Sequence, residues 1–175
     1  MNSSNRLYVI SLTLVATLGG LLFGYDTAVI SGTVGSLDSF FIEPLNLAET
    51  AANSRLGFVV SSALIGCIAG GLSGGLVSLH LGRKKGLMLA AVLFLISAIG
   101  SSMPEVFIAP IGSADESYVT IFIIYRIIGG IGVGLASMLS PMYIAEVSPA
   151  KIRGKLVSWN QFDIIFGMIV VYCVN

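Results

Sequence analysis

Long apolar runs alternate with short polar segments along the chain. Five of them approach or exceed the roughly 20 residues a helix needs to cross the hydrocarbon core of a bilayer. They cover residues 7–34, 56–81, 86–103, 118–145 and 156–174. The second and third carry no formal charge, and the others carry one each: Asp26, Arg126 and Asp163. Runs of this length and continuity predict an all-α membrane protein whose partner is the lipid bilayer. The first run is too long for the core of a signal peptide and has no small-residue cleavage site behind it, so it is expected to be retained.

The loops predict an orientation. Arg6, the cluster Arg83, Lys84 and Lys85, and the cluster Lys151, Arg153 and Lys155 fall on one side of successive spans. The other side holds Arg55 as its single cation, with Asp38, Glu43, Glu49, Glu105, Asp115 and Glu116. Basic residues in short loops mark the cytoplasmic side, so the N-terminus is expected inside. Tyr8 and Trp159 fall near that interface. The two outer loops, about 35–55 and 104–117, hold Pro44, Pro104 and Pro110 and lack strong periodicity, whereas the inner loops are tight.

Composition narrows the function. Of 175 residues, 55% are hydrophobic and only 10% charged, with no net charge. Ordinary soluble domains carry about 25% charged residues. A disordered tail, a basic nucleic-acid binder and nearly all soluble enzyme domains are excluded. No nucleophile–base pair or metal-ligand cluster stands out, and no enzyme is expected. Cys67 and Cys173 lie inside apolar runs and read as buried packing residues. His80, the one histidine, reads as a surface residue at the cytoplasmic edge. Chain length ends directly after the fifth run, which suggests a piece of a longer chain.

The 21 glycines in so apolar a chain predict close helix–helix contact. The pairs Gly20/Gly24, Gly66/Gly70 and Gly71/Gly75 have the small-xxx-small spacing. Gly129, Gly130, Gly132 and Gly134 crowd the fourth run, where no strand precedes them to make a dinucleotide loop. Pro141 is expected to kink that run and free backbone groups near its inner end.

Charge at the bilayer centre costs about 2.5–3.5 kcal/mol on insertion scales, so each one calls for a reason. Asp26 and Arg126 each lie eight residues from the outer end of their runs, roughly 12 Å deep at helical rise. Equal depth and opposite charge predict a pair. It reads either as a buried salt bridge that fixes packing or as a proton site. Burial disfavours an ionised carboxyl and a neighbouring guanidinium favours it, so parting or wetting such a pair would switch proton affinity. Asp163 points away from the face shared by Gln161 and Met168. It is expected to snorkel inward or to meet a polar neighbour such as Asn160.

Several of these features occur together as one pattern. Gly24-Tyr25-Asp26 in the first run, Gly82-Arg83-Lys84 between the second and third, and Arg126 with its following glycines are three parts. The fourth is Pro141-x-Tyr143-x-x-Glu146-x-x-Pro149-x-x-x-Arg153-Gly154. Together they resemble the sugar porters of the major facilitator superfamily. The runs 13–35, 125–146 and 153–175 are most similar to proton-coupled, D-xylose-carrying members. The resemblance covers essentially the whole chain.

What the resemblance implies is a major-facilitator-type helix bundle of two six-helix halves, with a monosaccharide held between them. Residues 1–175 would be a partial N-terminal transmembrane domain comprising the first five helices, with the C-terminal half as missing partner. Asp26 resembles the proton-accepting carboxylate and Arg126 its mate. Phe23 resembles an aromatic of the sugar pocket, and Gln161 a glutamine that binds sugar hydroxyls. Arg83, Glu146 and Arg153 resemble a cytoplasmic charge network that latches one state. No prosthetic group is implied, the proton being the coupling ion. Uniport without proton coupling, and a non-transporting sensor, remain open beside symport. Three positions depart from the pattern. Met168 replaces a second sugar-binding glutamine with a thioether that donates no hydrogen bond. Asp163 replaces an apolar residue, and Leu79 stands where an acidic residue is usual.

Overall fold

Each apolar run folds as a helix that continues past the apolar residues into polar ones. The computed structural model describes residues 3–45, 48–102 and 116–174, and every element among them is helical. Met103, the segment up to Asp115 and the Arg6 side chain lie outside the described residues. The helices are α1 (Ser3–Leu37), α2 (Glu49–His80), α3 (Gly82–Ser102), α4 (Glu116–Val147) and α5 (Arg153–Val174). All five are long and apolar enough to cross a membrane.

The segment expected as the first outer loop is mostly helical. After α1 the chain makes a π-helical turn, Asp38–Ile42, and a short 3-10 turn, Glu43–Leu45. The reason is apolar burial. Ile42 is almost fully buried, and the Phe41 ring tilts against Phe122 of α4 with centroids 5.5 Å apart. Folding back onto α4 removes these side chains from water, which a free loop cannot do.

At the other end of the bundle the connections are short. α2 and α3 are joined through Leu81 alone, and Gly82 adopts φ +77°, the left-handed conformation that ends helices and that a Cβ disfavours. α4 runs through Pro141 to Val147, then turns at Pro149 into α5.

The central element is α4. Its most apolar window is 56% buried, against 17% for that of α5, because α4 touches each of the other four helices. Glycines set the spacing. A Cβ on Gly66 or Gly70 of α2 would overlap the backbone of Ile127 or Ile131. From the other side, Gly130 and Gly134 of α4 meet the backbone of Ala63 and Cys67. Backbones thus approach to a distance that Ala would prevent.

One expected pair does not serve this way. A Cβ on Gly71 would meet nothing within 4 Å, and one on Gly75 would only graze Met138 at 4.0 Å; the close approach falls instead on Gly74, in register with Gly66 and Gly70. Helical geometry explains the difference, since positions four apart continue one stripe whereas Gly71 begins the next one round. Gly20 and Gly24 of α1 do meet α5, at Asn160 and Ile164. Cys67 is half-buried and Cys173 is exposed near the end of α5, so the expectation of burial fails for the second. Its position on the unpacked face of the last helix accounts for this.

Candidate functional site

Asp26 on α1 and Arg126 on α4 meet. Arg126 Nη1 donates to Asp26 Oδ1 at 2.7 Å, and the two side chains keep 9% and 24% of their surface exposed. Both helices extend beyond their apolar runs, so the pair lies about 10 residues, or ~15 Å at helical rise, from the helix ends at Leu37 and Glu116. Arg126 Nε is buried with no hydrogen-bond partner among the described residues. A guanidinium bonded through one nitrogen and orphaned at another is incompletely satisfied. Its hold on Asp26 is therefore a large share of what keeps it buried.

One turn from Asp26 along α1, a crevice of about 480 Å³ opens between α1, α4 and α5. Phe23 and Gln161 both line it, with Gly20, Ser137, Pro141, Asn160 and Ile164. Pro141 has no N–H, so the Ser137 carbonyl loses its helical donor at the crevice wall. At the junction of the three helices, Ser140 Oγ donates to the Ala16 carbonyl at 2.6 Å. It also stands 2.9 Å from the Asn160 side-chain amide. The crevice thus combines an aromatic face with amides, a hydroxyl and a backbone acceptor. Such a set suits a small polyhydroxylated molecule with one apolar face.

Met168 does not line this crevice. It shares a side of α5 with Gln161 but lies two turns further along, half-buried. Asp163, at the middle of α5, is half-buried and has no partner among the described residues. The expected contact with Asn160 does not form; the Asn160 amide meets Ser140 of α4.

The end with the short turns holds the second group of charges. Arg83 at the start of α3 binds Glu146 at the end of α4, with Nε at 2.9 Å and Nη2 at 2.8 Å from the same Oε1. Arg153 stands apart from that pair and donates through Nη2 to the Ser148 carbonyl at 3.4 Å. His80 is exposed, and its Nδ1–H donates to the Leu76 carbonyl at 2.9 Å. Among the described residues no group of three or more His, Cys, Asp or Glu is placed to hold a metal.

The Ser140–Asn160 junction escaped the sequence reading as a feature of the site. The signal was two polar residues in otherwise apolar runs, each directly preceding a residue already singled out, Pro141 and Gln161.

Comparison with known proteins gives a consistent picture. Residues 12–175 match the family model described as Sugar (and other) transporter. The D-xylose-proton symporter of Escherichia coli (strain K12) is 64% identical, over 98% of this chain and 36% of its own length. The glucose facilitated diffusion protein of Zymomonas mobilis is 39% identical, over 98% of this chain and 35% of its own. Among solved structures, the partially occluded inward open conformation of the xylose transporter XylE from E. coli superposes with TM-score 0.91 at 65% identity. That match covers 95% of this chain and 41% of the other. The proton:xylose symporter XylE bound to 6-bromo-6-deoxy-D-glucose gives 0.93 at 64% identity, over 97% and 37% of the two chains. The chain spans about a third of the length of the curated relatives it matches.

Proposed function

Because the chain belongs to the Sugar (and other) transporter family, we propose that it supplies part of a proton-coupled symporter that carries a monosaccharide, D-xylose foremost, by alternating access. Its five helices are the first five of the N-terminal six-helix half of a major-facilitator-type bundle, in a multi-pass membrane protein. The family is one of transporters rather than enzymes. The remaining helices of a complete carrier would close the site from the other side. The short-turn end faces the cytoplasm in this reading, which rests on the seven basic residues gathered there.

One observation carries the reading: the buried Arg126–Asp26 pair, one turn from the crevice lined by Phe23 and Gln161. A proton arriving from outside neutralises Asp26 and weakens its bond to Arg126. Sugar in the crevice and the released pair together favour rocking of the halves. At the cytoplasmic end the Arg83–Glu146 pair must part before the inner gate opens. The proton contributes about 2.3 kcal/mol per 100 mV of membrane potential, plus the pH difference. Met168 takes a lesser part in sugar contact, two turns from the crevice.

The test uses a hybrid in which this whole chain replaces the matching stretch of the E. coli symporter, reconstituted in vesicles. D-xylose added outside should alkalinise the medium, and an inward proton gradient should drive accumulation. Equilibration of sugar with no proton movement would instead support a uniporter, the behaviour named for the Zymomonas relative. Sugar binding with no flux would support a sensor.

A further inference from the structure

Ser140 Oγ has one proton and two close oxygen contacts, and that mismatch assigns a role to Asn160. The Ala16 carbonyl, 2.6 Å away, can only accept, so it takes the proton. The Asn160 atom 2.9 Å from the same Oγ stands as Oδ1, which would make two acceptors for one proton; turning the amide end for end puts a donor there instead. Amide oxygen and nitrogen are distinguished by their partners, so the side-chain NH₂ of Asn160 faces Ser140. Its carbonyl oxygen is left over, with no partner among the described residues.

The surroundings fix where that oxygen can go. Asn160 is 92% buried, being 8% exposed, and its open side is the crevice wall. Gly20 packs close beside it: a Cβ there would come within 2.8 Å of the Asn160 backbone oxygen and 2.9 Å of the amide atom that faces Ser140. Ser140 is fully buried, so water does not compete for its hydroxyl. The amide is therefore oriented by α4, backed by α1 and presented from α5.

We infer that Asn160 is a sugar-contacting residue, its side-chain oxygen accepting from one substrate hydroxyl beside Gln161, with Ser140 as the positioning residue that aims it. This deepens the reading of the crevice as a monosaccharide site and rests on it. Gln161 is exposed and can turn, whereas Asn160 is held in one orientation. Asn160 thus selects a particular hydroxyl, and Gln161 adapts around it.

Binding of D-xylose and its single-deoxy analogues to the hybrid carrier tests this. The parent should bind D-xylose and lose about 3- to 10-fold for the analogue lacking the hydroxyl that meets Asn160. Asn160→Ala should weaken D-xylose by the same factor, leave that one analogue unchanged, and keep discrimination against the others. Asn160→Leu, of similar volume, should give the same pattern where the alanine variant accumulates poorly. Ser140→Ala frees the Asn160 amide to turn, so it should shrink the discrimination against that one analogue while discrimination against the other analogues survives. Equal weakening of every sugar in the Asn160 variants, or no change, would overturn the inference while leaving sugar binding intact. A parent hybrid that binds no sugar would instead overturn the monosaccharide reading itself.

Discussion

Two ion pairs hold α4 to its neighbours at nearly the same distance, 2.7 Å for Arg126–Asp26 and 2.8 Å for Arg83–Glu146. Their surroundings differ. The first keeps 9% and 24% of its side-chain surface exposed, the second 37% and 48%. The same contact length therefore stands for different energies. In a poorly solvated site an ion pair is expensive to bury and more expensive to break. At a wet surface the pair contributes about 0–1 kcal/mol and is screened by salt. A buried pair can store the difference between two protonation states, whereas an exposed pair can part at little cost. Under the proposed function, coupling and latching call for opposite environments, and the two pairs on α4 stand in one of each.

The largest break in that comparison comes from Arg126→Gln. It leaves Asp26 without its cation and should destabilise the folded bundle by about 3 kcal/mol, the lower end for a broken buried pair since Asp26 retains some exposure. Thermal unfolding of the purified hybrid measures this. Adding Asp26→Asn should restore most of the loss, because no uncompensated charge remains. Failure of the double variant to recover would mean that Arg126 acts through other contacts.

The smaller break is Glu146→Gln. Unfolding stability should fall by no more than about 1 kcal/mol, and the difference should shrink toward zero in 1 M salt. Its expected signature is a shift toward the inward-open state, read as faster labelling of a cysteine placed at the cytoplasmic end. Stability loss as large as that of Arg126→Gln would show that burial does not separate the two pairs.

Scarcity made the first pair legible in sequence. Two charges standing alone in long apolar runs, about 100 residues apart, have few possible mates, and depth along a helix is a one-dimensional quantity. The helices were legible for the same reason, but their ends were not. A run-length criterion stops at the first polar residue, whereas α1 continues to Leu37 and the chain beyond it folds onto α4 through Phe41 and Ile42. Glycine spacing showed that close contacts exist without showing which stripe makes them, so Gly71/Gly75 looked as good as the stripe that Gly74 completes. Rotation of one helix against another decides that, and it is absent from a linear pattern. The Ser140 junction depends on three helices meeting, with Ala16 and Ser140 124 residues apart. Serine occurs in every apolar run of this chain, so only its place directly before Pro141 distinguished that one. The family resemblance puts Arg153 with Arg83 and Glu146, but which carbonyl or carboxylate it reaches depends on the turn at Pro149, and here it donates to the Ser148 carbonyl.

Proton coupling through Asp26 is tested most directly by Asp26→Asn in the hybrid carrier, assayed in the same vesicles for counterflow and for uphill uptake. Exchange of labelled for unlabelled D-xylose should persist, while alkalinisation of the medium and accumulation against a gradient should both vanish. Uphill accumulation retained by the Asp26→Asn carrier would contradict the account.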